Sequence, residues 1–253
     1  MTTIVTILGW AIGWTWPALA LLAAAVLLGQ LSVGWSNDAH DAADDARADR
    51  RAKPTVRGVI APRALWFAAV GAAAACAALS ILVAGWSGGL WHVLAIGAAW
   101  AYNLRLSRTS LSWLPYAIAF AAVAPFLTLG LDQTWPPWWL PVVLALVGTA
   151  AHLANALRDI AVDQRAALSG VVVRLGPKRT WRAIVGLLVT ATVVLAGALA
   201  SRRWLLAAAP LGMLMLALVG MRTSGRPEVM FRWIVALALG DVVLLAVALH
   251  TAR

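Results

Sequence analysis

Ten acidic residues occur in this 253-residue chain, and half of them crowd into one polar stretch, Asn37 to Arg63, that interrupts a long apolar sequence. Asn37, Asp38, Asp41 and Asp45 are spaced by one, three and four positions, with Asp44 and Asp49 close by. Asp38, Asp41 and Asp45 are expected on one face of a helix that continues from the apolar run before them. A second, smaller island follows about 120 positions later, where Asn155, Asp159 and Asp163 are again four apart, with Arg158 beside Asp159. Carboxylates sharing a face repel one another unless a cation sits between them. Two such faces suit a hard, oxygen-seeking ion, above all Mg2+, which binds through one or two carboxylates plus substrate phosphates. No Cys or His cluster competes for a soft metal. Arg47, Arg50, Arg51, Lys53, Arg57 and Arg63 share the first island, and phosphate oxygens need such donors. The pattern predicts a phosphate-bearing substrate with a greasy remainder, its head group at the membrane face and its tail between helices.

A solvated loop is the plainer account of either island alone, yet it gives no reason for the four-residue spacing to recur on the same side. Asp44 and Asp49 read as salt-bridged or solvated partners, and His40 as a solvated imidazole. His152, one turn before Asn155, is a candidate to line a cavity, whereas His92 and His250 read as interfacial and Asp132 as exterior loop. Asp241 lies well inside an apolar run, where an ionisable group is costly and either faces the bundle interior or pairs near a helix end.

The elements that must carry these residues are membrane helices. Hydrophobic residues make up 62% of the chain, charged residues only 12%, and mean hydropathy is +0.84, far from the soluble norm. The expected fold is an all-α polytopic membrane protein forming a single domain over 1–253. Apolar runs fall at about 2–13, 17–36, 62–85, 90–104, 111–130, 138–157, 183–200, 204–221 and 231–250, nine in all, the first too short to cross a bilayer. Ser87-Gly88-Gly89 reads as the turn between the third and fourth, and polar, basic text from Arg158 to Arg182 separates the sixth from the seventh. The start has no basic region of the kind a cleavable signal peptide carries. Single Cys76 reads as a buried structural thiol.

The net charge of +10 is no nucleic-acid footprint, since no polar domain exists to carry one. With nine crossings, 17 of the 20 basic residues fall in the gaps after even-numbered segments. That bias predicts a cytoplasmic N-terminus and both acidic islands on the cytoplasmic side. Joining the first two runs into one tilted helix would move the N-terminus but leave the islands where they are. The islands then sit on equivalent hairpins, a faint internal symmetry.

At the motif level, Asn37-Asp38-x-x-Asp41-x-x-x-Asp45 resembles the first signature of the UbiA superfamily of intramembrane prenyltransferases. Asp159-x-x-x-Asp163, with Asn155 one turn earlier, resembles the second. The stretch containing Tyr102 and Arg105 is similar to the loop after the family's fourth helix, and Lys53-Pro54 stands where a basic-Pro pair often follows the first signature. The resemblance covers nearly the whole chain. It implies about nine transmembrane helices around a central cavity that opens to lipid and is capped by cytoplasmic loops. It further implies Asp38, Asp41, Asp45, Asp159 and Asp163 as catalytic Mg2+ ligands, with Asn37, Asn155 and Tyr102 at the site. Lys53, Arg57, Arg105, Arg174 and Lys178 would neutralise the leaving diphosphate. The implied reaction is Mg2+-dependent transfer of an isoprenyl group from an isoprenyl diphosphate donor to an aromatic, quinone-precursor or other lipophilic acceptor. The implied location is a lipid bilayer, expected to be a bacterial cell membrane. Three features depart from the pattern: a short first helix, Arg105 where a lysine is usual, and Arg158 beside Asp159. The alternatives are a non-catalytic or transport protein of this fold and a CDP-alcohol phosphotransferase. The latter's Asp-Gly start is absent at Asp38-Ala39.

Overall fold

The computed structural model describes residues 1–47, 49–50, 52–165 and 170–200, with helical positions at 208, 210–215, 217, 219, 236 and 240; the side chains of Asp159 and of 161–165 lie outside that description. Every regular element among the described residues is helical. Helix α1 is Thr2–Ala11, α2 Ala18–His40, α3 Ala42–Arg47, α4 Pro62–Leu104, α5 Leu114–Ala121, α6 Val123–Asp132, α7 Trp139–Arg165 and α8 Val171–Ala200, with a 3-10 turn at Leu106–Arg108. Among the described residues, five helical stretches are long and apolar enough to cross a membrane. The last two apolar runs, 204–221 and 231–250, lie outside the described residues apart from scattered positions, and Asp241 and His250 lie outside them altogether.

The breaks between helices follow from individual residues. Gly13, at φ 99°, supplies the turn after α1. A straight α4 of 43 residues would rise about 65 Å, twice the hydrocarbon thickness. Gly85, at φ 66° and ψ −179°, instead folds it into two antiparallel arms, 62–84 and 86–104. The break comes at Gly85, two residues before the expected Ser87-Gly88-Gly89 turn. Those glycines serve packing: a Cβ on Gly89 would lie 2.8 Å from the Ile81 backbone, and one on Gly88 2.7 Å from Gly130 N. The fifth apolar run divides into α5 and α6 at Ala122. Pro125 lacks an N–H, and its ring crowds the carbonyl four residues back, at Ala121.

Three boundaries differ from the sequence-based expectation. Helix α2 runs four residues past the expected 36, so Asn37 and Asp38 lie on the membrane helix itself. Helix α7 continues to Arg165 and α8 starts at Val171, so most of the basic text between Arg158 and Arg182 is helical. Gly176, at φ 73°, with Pro177 then bends α8 between Arg174 and Lys178. Charge alone is a poor loop signal here, because an amphipathic end of a helix can project from the membrane and remain hydrogen-bonded along its backbone.

The core gathers Leu8, Leu22, Phe126, Val143, Ile184, Leu188 and Leu195, each almost fully buried. Polar clasps fix the helices where apolar contact alone gives little direction, since lipid tails are as apolar as the side chains. Trp14 Nε1 donates to the Leu127 carbonyl at 3.0 Å. Trp100 Nε1 donates to Ser32 Oγ at 3.0 Å, and Asn103 Nδ2 donates to Val33 O and Ser36 Oγ, both at 2.9 Å.

Candidate functional site

The last two clasps hold the end of α2 against the end of α4, directly beneath the first acidic island. The chain leaves α2 at His40, turns through Asp41 (φ −85°, ψ 0°) and re-enters a helix over α3. That near-helical path keeps the four-residue relation, and Asp45 N donates to Asp41 O at 2.8 Å. The expected shared face therefore holds, with a slight break at Asp41.

Cations from two loops meet this face. Lys53 Nζ bonds Asp38 Oδ1 and lies 3.8 Å from Asp45 Oδ2. Arg50 Nη1 donates to Asp45 Oδ1 at 3.2 Å. Arg108, from the 3-10 turn, donates to Asp44 Oδ2 at 2.5 Å and lies 3.9 Å from Asp41 Oδ1. Asn37 Nδ2 donates to Asp41 Oδ2 at 2.9 Å. Burial raises the Asp41 pKa above the ordinary carboxylate value, and the neighbouring Asp45 charge adds to that. The Arg108 hydrogen bond lowers the Asp44 pKa, which suits a paired surface acid.

Asp45 is the unusual member. Its side chain is only 3% exposed, yet Oδ2 is a buried atom with no hydrogen-bond partner. Buried polar atoms without partners are rare and costly. A carboxylate oxygen of that kind, beside two further aspartates and a lysine, fits a divalent cation carrying phosphate oxygens. Asp38, Asp41 and Asp45 present oxygen donors of the type Mg2+ takes. Among the described residues no group of three or more acids, imidazoles or thiols converges in a way that would hold a metal ion by itself.

The second island emerges at the same end of the bundle. Asn155, Asp159 and Asp163 lie four residues apart on α7; the carboxylates of Asp159 and Asp163 lie outside the described residues. Asn155 is exposed and accepts from Arg158. One turn earlier, His152 is buried, its Nε2 3.3 Å from Ser112 Oγ, and its ring packs on Tyr102 at 5.4 Å and Tyr116 at 4.5 Å. Tyr102 precedes Asn103, which bonds Ser36, which precedes Asn37. A continuous set of contacts thus joins the two islands through the ends of α2, α4, α5 and α7.

Tyr102 and Tyr116 also face the cavity inside the bundle, which has a volume of about 180 Å³ and is bordered by α1, α2, α4, α5 and α6. Of the other expected phosphate contacts, Arg57, Arg105, Arg174 and Lys178 are exposed. No ion pair joins Arg57, Arg105 or Lys178 to a described acid. The sequence reading missed Arg108 and Asn103, and placed His92 at the interface. The structure buries His92 between the arms of α4 and against the cavity. Spacing carried the missing signal: Gly88, His92, Ala95 and Asn103 recur at helical intervals on one buried face.

Solved structures share this architecture. The apo structure of a UbiA homolog from Aeropyrum pernix K1 superposes with a TM-score of 0.73 at 19% identity, over 97% of each chain. A UbiA homolog from Archaeoglobus fulgidus bound to GPP and Mg2+ gives 0.65 at 14% identity, over 99% of this chain and 96% of the other. A structure described for digeranylgeranylglyceryl phosphate synthase gives 0.74 at 13% identity, over 99% of this chain and 93% of the other. No curated protein matches the chain. The family model for UbiA prenyltransferases matches residues 1–248, and with the helical bundle and its polar end in place, the chain belongs to the UbiA prenyltransferase family.

Proposed function

We propose that the protein transfers an isoprenyl group from an isoprenyl diphosphate to an aromatic, quinone-precursor or other lipophilic acceptor in the membrane, using Mg2+ held at the acidic islands. The observation that carries this reading is the buried Asp45 Oδ2, which lacks a hydrogen-bond partner and lies near Lys53, Asp38 and Asp41, on an island whose helix is tied through Ser36 to Asn103 in the lining of an apolar cavity. Asp38, Asp41 and Asp45 from the first island, with Asp159 and Asp163 from the second, are the residues to hold the metal. When bound, Mg2+ supplies Lewis-acid stabilisation of charge on the diphosphate oxygens.

The chain's own groups do the rest. Lys53, already within reach of two carboxylates, offers the nearest side-chain cation to a diphosphate bound there, with Arg50 and Arg108 beside it. Arg57, Arg105 and Lys178 are exposed and available to close over the head group with Asn37 and Asn155, and Arg174 is exposed on the first turn of α8. As the allylic C–O bond breaks, its electron pair leaves with the diphosphate, and these cations lower the cost of that charge. Tyr102 and Tyr116 turn aromatic rings toward the cavity, where they shield the electron-poor allylic carbon from water. The acceptor carbon or oxygen then forms the new bond and gives up its proton to solvent. The bias of basic residues favours the cytoplasmic side for this chemistry, with about nine helices and cap loops around the cavity.

The test is incubation of purified protein with Mg2+, labelled isoprenyl diphosphates and a panel of aromatic acids, quinone precursors and lipophilic alcohols. Transfer or diphosphate release that depends on Mg2+ and is lost in Asp41→Ala is expected. Absence of both with every combination refutes the proposal.

A further inference from the structure

The cavity becomes polar again at the end opposite the islands. Tyr102 and Asn103 line one end and His92 the other, all on the second arm of α4, with Val26, Ala95 and Val123 between. From Asn103 to His92 the helix rises about 16 Å.

His92 is pinned there. Its Nδ1 is 2.7 Å from Ser80 Oγ, and its ring stacks on Phe126 at 4.5 Å with 20° between planes. Ser80 Oγ donates to the Cys76 carbonyl at 2.6 Å, so its one proton is committed. Nδ1 of His92 must then carry the proton given to Ser80, which leaves Nε2 with its lone pair. No described residue bonds Nε2. Beyond His92 the bundle closes backbone to backbone, with Gly88 against Gly130 and Gly89 against Ile81 so tight that neither glycine has room for a Cβ.

Resting on the isoprenyl transfer proposed above, the geometry points to His92 as the floor that sets donor chain length, admitting one or two isoprene units and turning away longer tails. An extended isoprene unit spans about 5 Å at ordinary bond lengths, so the depth allows three at most. Volume is stricter: at about 30 Å³ per water-sized group, 180 Å³ takes a five-carbon tail as it stands and a ten-carbon tail with small side-chain shifts. A longer tail pressed onto Nε2 would also bury that lone pair without a donor, which opposes binding.

The experiment compares kcat/KM for C5, C10, C15 and C20 donors in the wild type, His92→Ala and Ala95→Phe, and the stabilisation of each protein by the matching non-hydrolysable thiodiphosphates. The wild type should prefer C5 or C10 and discriminate against C20 by at least about tenfold. His92→Ala keeps the Ser80 bond to the Cys76 carbonyl and should shift the profile toward longer donors by one unit. Ala95→Phe, one turn above the floor, should confine it to C5. The ratio between donors is unmoved by a loss of folded protein. A wild type that takes C20 as readily as C10, or a His92→Ala profile that superimposes on the wild type, overturns the assignment. Turnover of no donor, with binding still graded by length, would sink the transferase reading and leave the floor standing; binding of no analogue would sink both.

Discussion

Asp45→Asn separates the structural and metal-binding roles of the first island. The substitution keeps shape and removes the charge. Without metal, it forfeits a 3.2 Å pair with Arg50, whose side chain is 46% exposed; a pair of that kind contributes about 0.2–1 kcal/mol. Against this, the change relieves a desolvated carboxylate and its repulsion of Asp41. Lys53 keeps Asp38 as a partner, so no cation is stranded. The metal-free variant should therefore unfold within about 1 kcal/mol of the wild type. With Mg2+ and a non-hydrolysable isoprenyl diphosphate, the difference appears. At one hundred times Kd, the wild type gains about 2.7 kcal/mol, or roughly 5–10 °C in Tm. A tenfold weaker site at the same concentration gains about 1.4 kcal/mol, and the shift falls by about half. Thermal unfolding in detergent, with and without metal, reads both numbers. Equal Mg2+-dependent shifts in the two proteins would refute the ligand role of Asp45, and a collapse of the metal-free variant would refute the argument that its charge is not structural.

Other substitutions sort the neighbouring residues. Lys53→Met removes the cation nearest the proposed diphosphate and should lower kcat by about 10²–10³, as loss of one charge-stabilising donor does; a change confined to KM would contradict that role. Asp44→Asn, which touches Arg47 and Arg108 at the surface, should leave kcat/KM within about twofold, in contrast to Asp38, Asp41 and Asp45. Asn103→Leu removes two of the bonds that tie α4 to α2, leaving the one from Trp100 to Ser32, and should cost about 1–3 kcal/mol, read as a lower Tm. Gly88→Val places a side chain where Gly130 N lies 2.7 Å from the ideal Cβ and should cost at least about 1–3 kcal/mol; an unchanged Tm would mean that α4 and α6 are not in contact there.

The membrane class and the position of the first island were legible because each rests on a one-dimensional pattern. Apolar runs of bilayer length identify helices, and carboxylates four apart remain neighbours through the small break at Asp41. The helix boundaries were less legible where charge and helicity conflict. Residues 37–40 and 158–165 are rich in polar groups, yet each continues a membrane helix, α2 to His40 and α7 to Arg165, since neither stretch contains Gly or Pro to break it. Arg108 was illegible for a different reason. It pairs with Asp44 across 64 positions, and no local spacing encodes which of several loop arginines will arrive.

His92 and Asn103 show what a hairpin can do that a list of motifs cannot. Both lie on the arm that follows Gly85, so one rigid helix carries the head-group end of the cavity and its floor. The clasp from Asn103 to Ser36 fixes that helix relative to Asp38, and the bond from His92 to Ser80 fixes it relative to the first arm. The distance from the aspartates to the floor is then set by helix rise and not by loop conformation. Sliding the arm by one turn would move the floor by about 5.4 Å, close to one isoprene unit. Breaking the Asn103 clasp should therefore blur chain-length selection as well as lower Tm. Asn103→Leu tests this directly: a sharp wild-type profile in a destabilised variant would show that the floor is held without the Asn103 clasp, by the Ser80 bond, the Trp100 bond and packing against Phe126.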